Sequence, residues 1–97
     1  MTKEFKTWKA SRWEDFAEVC EANCETVFDY RGNIYFITNI LGDGHDGWFC
    51  SRLVPGGKCT YDPVSRDCET LEALSEEPMF DGLSPRECYM EFDIYNS

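Results

Sequence analysis

The stretch from residue 26 to residue 40, TVFDYRGNIYFITNI, constrains the fold more than any other part of this chain. Val27, Phe28, Tyr30, Ile34, Tyr35, Phe36, Ile37 and Ile40 are β-branched or aromatic strand formers. Arg31-Gly32 divides them into two arms, and the freedom of glycine to take positive φ makes this pair a hairpin turn. On the second arm Ile34 and Phe36 point one way, Tyr35 and Ile37 the other. Both faces are apolar, so this strand is expected to be central and covered, at least in part, on both sides.

The flanking segments supply what would cover it. Ser11-Arg12-Trp13-Glu14 fits a capping box at the start of a helix ending near Asn23, with Trp13, Phe16, Ala17, Cys20 and Cys24 on one stripe. Gly47 to Val54 reads as a third strand, ended by Pro55-Gly56-Gly57. Asp67 or Ser65 is the expected cap of a short helix bearing Cys68, Leu71 and Leu74 that stops before Pro78. Ser84-Pro85-Arg86-Glu87 combines an N-cap serine, a first-turn proline and a capping-box glutamate. Leu83 is placed to staple that helix against Cys88, and Cys88, Tyr89 and Phe92 form its buried stripe. The expected fold is a small α+β domain spanning residues 1–97. An antiparallel sheet of about three strands carries an N-terminal helix and two short C-terminal helices, and residues 1–10 form a basic arm.

Charge narrows the partner class. The first twelve residues hold Lys3, Lys6, Lys9 and Arg12 against Glu4, while the rest carries five basic and eighteen acidic side chains. The net charge is −10. Such a field repels DNA and anionic lipid and favours a basic protein, so neither direct nucleic-acid binding nor membrane binding is expected. The N-terminus lacks the apolar core of a secretory signal, and no apolar run approaches the roughly 18 residues that span a bilayer. The expected location is the bacterial cytoplasm, where the six cysteines would be thiols or metal ligands before disulfides.

Two features offer chemistry. GDGHDG, residues 42–47, holds His45, the only histidine, between Asp43 and Asp46. Any Ser–His or Cys–His scheme must use it, yet no nucleophile is nominated. As a calcium loop it lacks the residue order and the later bidentate glutamate of an EF-hand. It reads as a flexible strand connection from Ile40 to Trp48. Cys20 and Cys24 share a helix face, and Cys50, Cys59, Cys68, Cys88 or His45 would have to complete a zinc site. No CxxC knuckle occurs, and the stripe of Trp13 and Phe16 suits buried thiols. A cysteine-based metal-binding or thiol domain is therefore the alternative reading. No cofactor and no enzymatic activity are expected. Trp8 and Trp48 read either as interface anchors or as the rim of the core.

The remaining feature is the acidic surface. Glu14, Asp15, Glu18, Glu21 and Glu25 form one expected group, and Glu69, Glu72, Glu76, Glu77 and Asp81 another, with Asp43 and Asp46 on the central loop. Carboxylates on a folded surface can occupy a basic groove built for nucleic acid, because duplex DNA presents rows of negative phosphates. The acidic Trp/Phe-rich helix, the Tyr30-x-Gly32-x-x-Tyr35-x-Ile37 hairpin and the Phe80-Asp81-Gly82-x-Ser84 segment resemble small acidic proteins of phages and mobile elements in gut bacteria. Some of these are anti-CRISPRs. The resemblance implies a non-enzymatic inhibitor that docks on a CRISPR effector or another nucleic-acid-binding complex. It carries no catalytic motif, so it transfers no residue role.

Overall fold

The computed structural model describes residues 7–23, 25–42, 45–54 and 60–95. Its chain order is β1 (Thr7–Trp8), α1 (Trp13–Asn23), β2 (Glu25–Tyr30), β3 (Asn33–Gly42), β4 (His45–Leu53), β5 (Tyr61–Pro63), α2 (Leu71–Ser75), α3 (Pro85–Cys88), a 3-10 turn (Tyr89–Glu91) and β6 (Asp93–Tyr95). The strands form one antiparallel sheet in the order β1-β6-β2-β3-β4-β5.

The β2–β3 hairpin is the spine of this sheet. Tyr30 pairs with Asn33 across a two-residue turn in which Arg31 and Gly32 both have positive φ, 49° and 83°. That is the backbone twist a two-residue hairpin requires. The register places Phe28 opposite Tyr35 and Thr26 opposite Ile37 on one face, with Val27 opposite Phe36 on the other. The helices pack on the first of these faces. Phe16 from α1, Phe28 and Ile37 from the sheet, Leu74 from α2, and Phe92 and Ile94 from the C-terminal segment are fully buried there. Phe28 and Phe92 stack with centroids 4.1 Å apart, and Phe16 meets both edge-on at 5.6 and 5.5 Å. Such aromatic pairs add about 0.5–1.5 kcal/mol each beyond the area they bury.

The sheet has six strands, not three. The three additional strands are two or three residues long and carry no alternating pattern of their own. β1 lies inside the segment read as a basic arm. β5 is exposed at all three positions. β6 follows Phe92, which the helical stripe of Cys88 and Tyr89 had claimed. Pairing holds these strands where periodicity could not announce them: β6 inserts between β1 and β2, with Ile94 opposite both Trp8 and Phe28. The covering of β3 also differs from expectation. No described helix crosses the face of Phe36; Phe49 is buried there, but Ile34 and Phe36 remain half-buried and Ile40 exposed.

The central connection is shorter than expected. β3 continues to Gly42 and β4 begins at His45, with Leu41 opposite Asp46 and Gly42 opposite His45. The strand ladder therefore runs through most of GDGHDG; Asp43 lies outside the described residues, as do Cys24 and Cys59.

The segment read as the start of a helix is instead a clasp on the edge of β4. Trp48 and Cys68 exchange both backbone hydrogen bonds at 2.7 Å. The Cys50 N–H donates to Ser65 Oγ at 2.8 Å and the Asp46 N–H to Asp67 Oδ2 at 3.2 Å. Ser65 and Asp67 thus satisfy strand N–H groups that would otherwise be edge orphans. The approach is close enough to require Gly47: its φ is 113°, and a Cβ there would lie 2.4 Å from the Cys68 carbonyl oxygen. Helix α2 starts later, capped by Thr70, whose Oγ1 accepts from the Ala73 N–H at 3.1 Å. At α1, the Ser11 hydroxyl donates to Asp15 Oδ2 at 3.4 Å. At α3 the expected glutamate acts as its motif predicts, with the Ser84 N–H donating to Glu87 Oε1 at 3.0 Å.

Candidate functional site

Helix α1 buries Trp13, Phe16 and Cys20 against the sheet. The same pitch leaves Glu14, Glu18 and Glu21 exposed along a neighbouring stripe at i, i+4 and i+7. Thr70 starts α2 so that Leu71 turns into the core and Glu72 faces out, toward that stripe. Arg86 of α3 places its guanidinium over the Trp13 ring, 5.4 Å from the centroid. Together these elements enclose an open groove of about 380 Å³. Trp13, Ala17 and Leu71 form its apolar floor, Glu14, Glu18, Glu21 and Glu72 its acidic walls, and Arg86 one end.

This arrangement can receive a long basic side chain. The methylene stem of a lysine or arginine would lie on Trp13 and Leu71 while its cationic head meets carboxylates, as amphipathic side chains prefer. Arg86 already demonstrates that the Trp13 ring face accepts a guanidinium from within the chain.

The groove gathers residues from both acidic groups of the sequence, but not all of them. Glu14, Glu18, Glu21 and Glu72 converge. Asp15 turns away to a 3.1 Å ion pair with Arg12. Glu25, expected beside the α1 carboxylates, lines a trough on the uncovered side of the sheet with Phe36 and Thr38. Glu77 is ion-paired to Arg66 in a third depression. Glu69, Glu76 and Asp81 are exposed outside the groove, and Asp46 is exposed at the Asp67 clasp. The sequence grouped carboxylates by proximity along the chain, whereas the groove is made by helix pitch and by the packing of α2 on β4 and α3, which brings Glu72 to the same groove as the α1 carboxylates. The floor residues were legible only as core: Trp13 was assigned to the buried stripe, and nothing in the sequence brought Arg86 to its ring.

The described thiols face a different environment. Cys20, Cys50, Cys68 and Cys88 are buried and free. Burial pushes Cys20 up to about 12 and Cys88 up to about 11, and it raises Cys50 and Cys68 as well. These groups stay protonated near neutral pH, which makes them poor nucleophiles and poor ligands as they stand. Among the described residues no three His, Cys, Asp or Glu side chains converge as a metal cage. Trp48 belongs to the core, and Trp8 is half-buried against it. No described helix is long and apolar enough to cross a membrane. Comparison of the chain with protein-family models, with curated proteins and with solved structures finds no match.

Proposed function

We propose that this chain is a non-enzymatic binding protein that docks its acidic groove on a basic protein surface. The partner class that best suits it is a nucleic-acid-binding defence complex, such as a CRISPR effector, whose grooves are built for phosphate. The observation that carries this reading is the convergence of Glu14, Glu18, Glu21 and Glu72 over the apolar floor of Trp13, Ala17 and Leu71. Carboxylates alone would be a solvated face. Carboxylates around an aromatic floor combine charge attraction with a surface on which an arginine or lysine stem can be buried.

Inhibition is the direct test. Added to such a complex in a gel-shift assay, the wild-type chain is expected to reduce target-DNA binding at low salt and to lose the effect at high salt. Glu18→Lys and Glu72→Lys together should abolish it with the circular-dichroism spectrum unchanged. Undiminished DNA binding across a panel of basic defence complexes would argue against the reading.

A further inference from the structure

One end of the acidic groove already holds a cation of the chain itself. Trp13 belongs to the floor, yet it is only 7% exposed. Phe16 and Tyr89 meet its ring at an angle, with centroids 5.4 and 5.9 Å away. Arg86 lies over the ring, its guanidinium 5.4 Å from the centroid. Arg86 is itself exposed, so it covers Trp13 from the solvent side. Its guanidinium makes no ion pair or hydrogen bond with any described residue, although Glu14, Glu18, Glu21 and Glu72 line the same groove. Arg12 and Arg66, by contrast, each pair with a carboxylate. A charged group thus sits at the end of an acidic groove, held by a ring face and not by an acid.

On the reading of this groove as the docking site, we propose that Arg86 is a tethered stand-in for an arginine of the partner, which displaces it from Trp13 on binding. The ligand is a guanidinium and not an ammonium. The guanidinium plane stacks on an indole face while its edge donates hydrogen bonds to carboxylates, and the groove offers both. Arg86 is anchored at one end by α3, between buried Pro85 and the capping-box Glu87. From there it reaches the ring and no acid. A partner arginine entering along the groove lays its stem on Ala17 and Leu71 and meets the ring and the acidic walls together. It makes contacts that Arg86 does not, and Arg86 gives up only an exposed cation–π contact, which is a weak one. The cap holds the backbone of α3 in place throughout, since Ser84 and Glu87 form it without the Arg86 side chain. Until a partner arrives, the stand-in keeps the apolar floor covered and lowers the affinity of the groove for a lone cation.

Two capped peptides, Ac-GGRGG-NH2 and Ac-GGKGG-NH2, test this when titrated at low salt into the full wild-type chain and into Arg86→Ala, with the indole N–H resonance of Trp13 as the readout. Removing the stand-in should strengthen binding of the arginine peptide about three- to sixfold, the factor by which an exposed cation–π contact reduces the vacant fraction of the ring. Loss of one positive charge favours both peptides equally, so the lysine peptide, which has no plane to stack, should gain less. In the isotope-labelled wild type, NOEs from the Arg86 δ-methylene to the Trp13 ring should disappear as unlabelled arginine peptide saturates the groove. Intermolecular NOEs from the peptide's arginine to the same ring should replace them. Arg86 NOEs that persist in the saturated complex overturn the proposal and leave the groove as a docking site. Equal gains for the two peptides, or weaker arginine binding by Arg86→Ala, do the same. Binding of neither peptide to either chain overturns the docking site and the stand-in together.

Discussion

Single residues in this protein act mainly by satisfying or forbidding a neighbour. Ser65 is the clearest case, because its hydroxyl is the acceptor for the Cys50 N–H at 2.8 Å. Ser65→Ala leaves the N–H of buried Cys50 without this partner. It should cost about 1 to 2 kcal/mol in urea denaturation. An unchanged midpoint would show that water replaces the hydroxyl at no cost. The buried thiols set a pH dependence. Cys20 and Cys88 are raised by burial to about 12 and about 11, and Tyr95 to about 12, chiefly by its hydrogen bond to Asp29. Each is an acid whose folded pKa lies above its unfolded value. Their contribution to stability is therefore complete below about pH 8.5 and is lost as pH rises through 11 to 12. The thermal midpoint should stay level from pH 6.5 to about 8.5 and then fall. Cys20→Ala should flatten that alkaline decline, and a decline of unchanged slope would remove Cys20 from the account.

Elements show where sequence reading succeeds and where it stops. The β2–β3 hairpin was legible in detail because its signal is local: alternating strand formers on either side of Arg31-Gly32. Helices α1 and α3 were legible for the same reason, through a stripe at helical pitch and a Ser84–Glu87 cap. β1, β5 and β6 were not, because two or three residues cannot display a period and their pairing partners lie far away in sequence. Ser65 and Asp67 were misread because serine and aspartate cap helices and strand edges with the same oxygen atoms. Only the fold shows that β4, and not α2, supplies the N–H groups. The candidate groove was half legible, since the spacing of Glu14, Glu18 and Glu21 marks one stripe, while the arrival of Glu72 depends on Thr70 starting α2. Phe92 illustrates the energetic weight of a misassigned element. It follows a 3-10 turn instead of extending a helix, yet it stacks on Phe28 and meets Phe16, Tyr30 and Phe80 edge-on. Phe92→Ala should cost about 3–5 kcal/mol in the same denaturation assay. A cost near 1 kcal/mol would mean that the aromatic cluster closes over the gap.

At the scale of the whole molecule, the sheet separates two surfaces of opposite character. One side carries helices, with four carboxylates around Trp13 and Leu71. The other presents a trough walled by Ile40 and Tyr61 and lined at one side by Glu25. The basic residues Lys9, Arg12 and Arg66 are engaged at the periphery by Asp93, Asp15 and Glu77, so they do little to neutralise the groove. The central claim is that the groove, and not the diffuse charge of −10, selects the partner. The most direct test is affinity capture from bacterial lysate over a salt gradient, with three baits. These are the wild type, a groove variant (Glu14→Lys, Glu18→Lys, Glu72→Lys) and a control with the same charge change outside the groove (Glu69→Lys, Glu76→Lys, Asp81→Lys). The account predicts that the wild type and the control retain the same nucleic-acid-binding protein and release it as salt rises, while the groove variant retains none. Equal loss in both variants, or equal retention by all three, would contradict it.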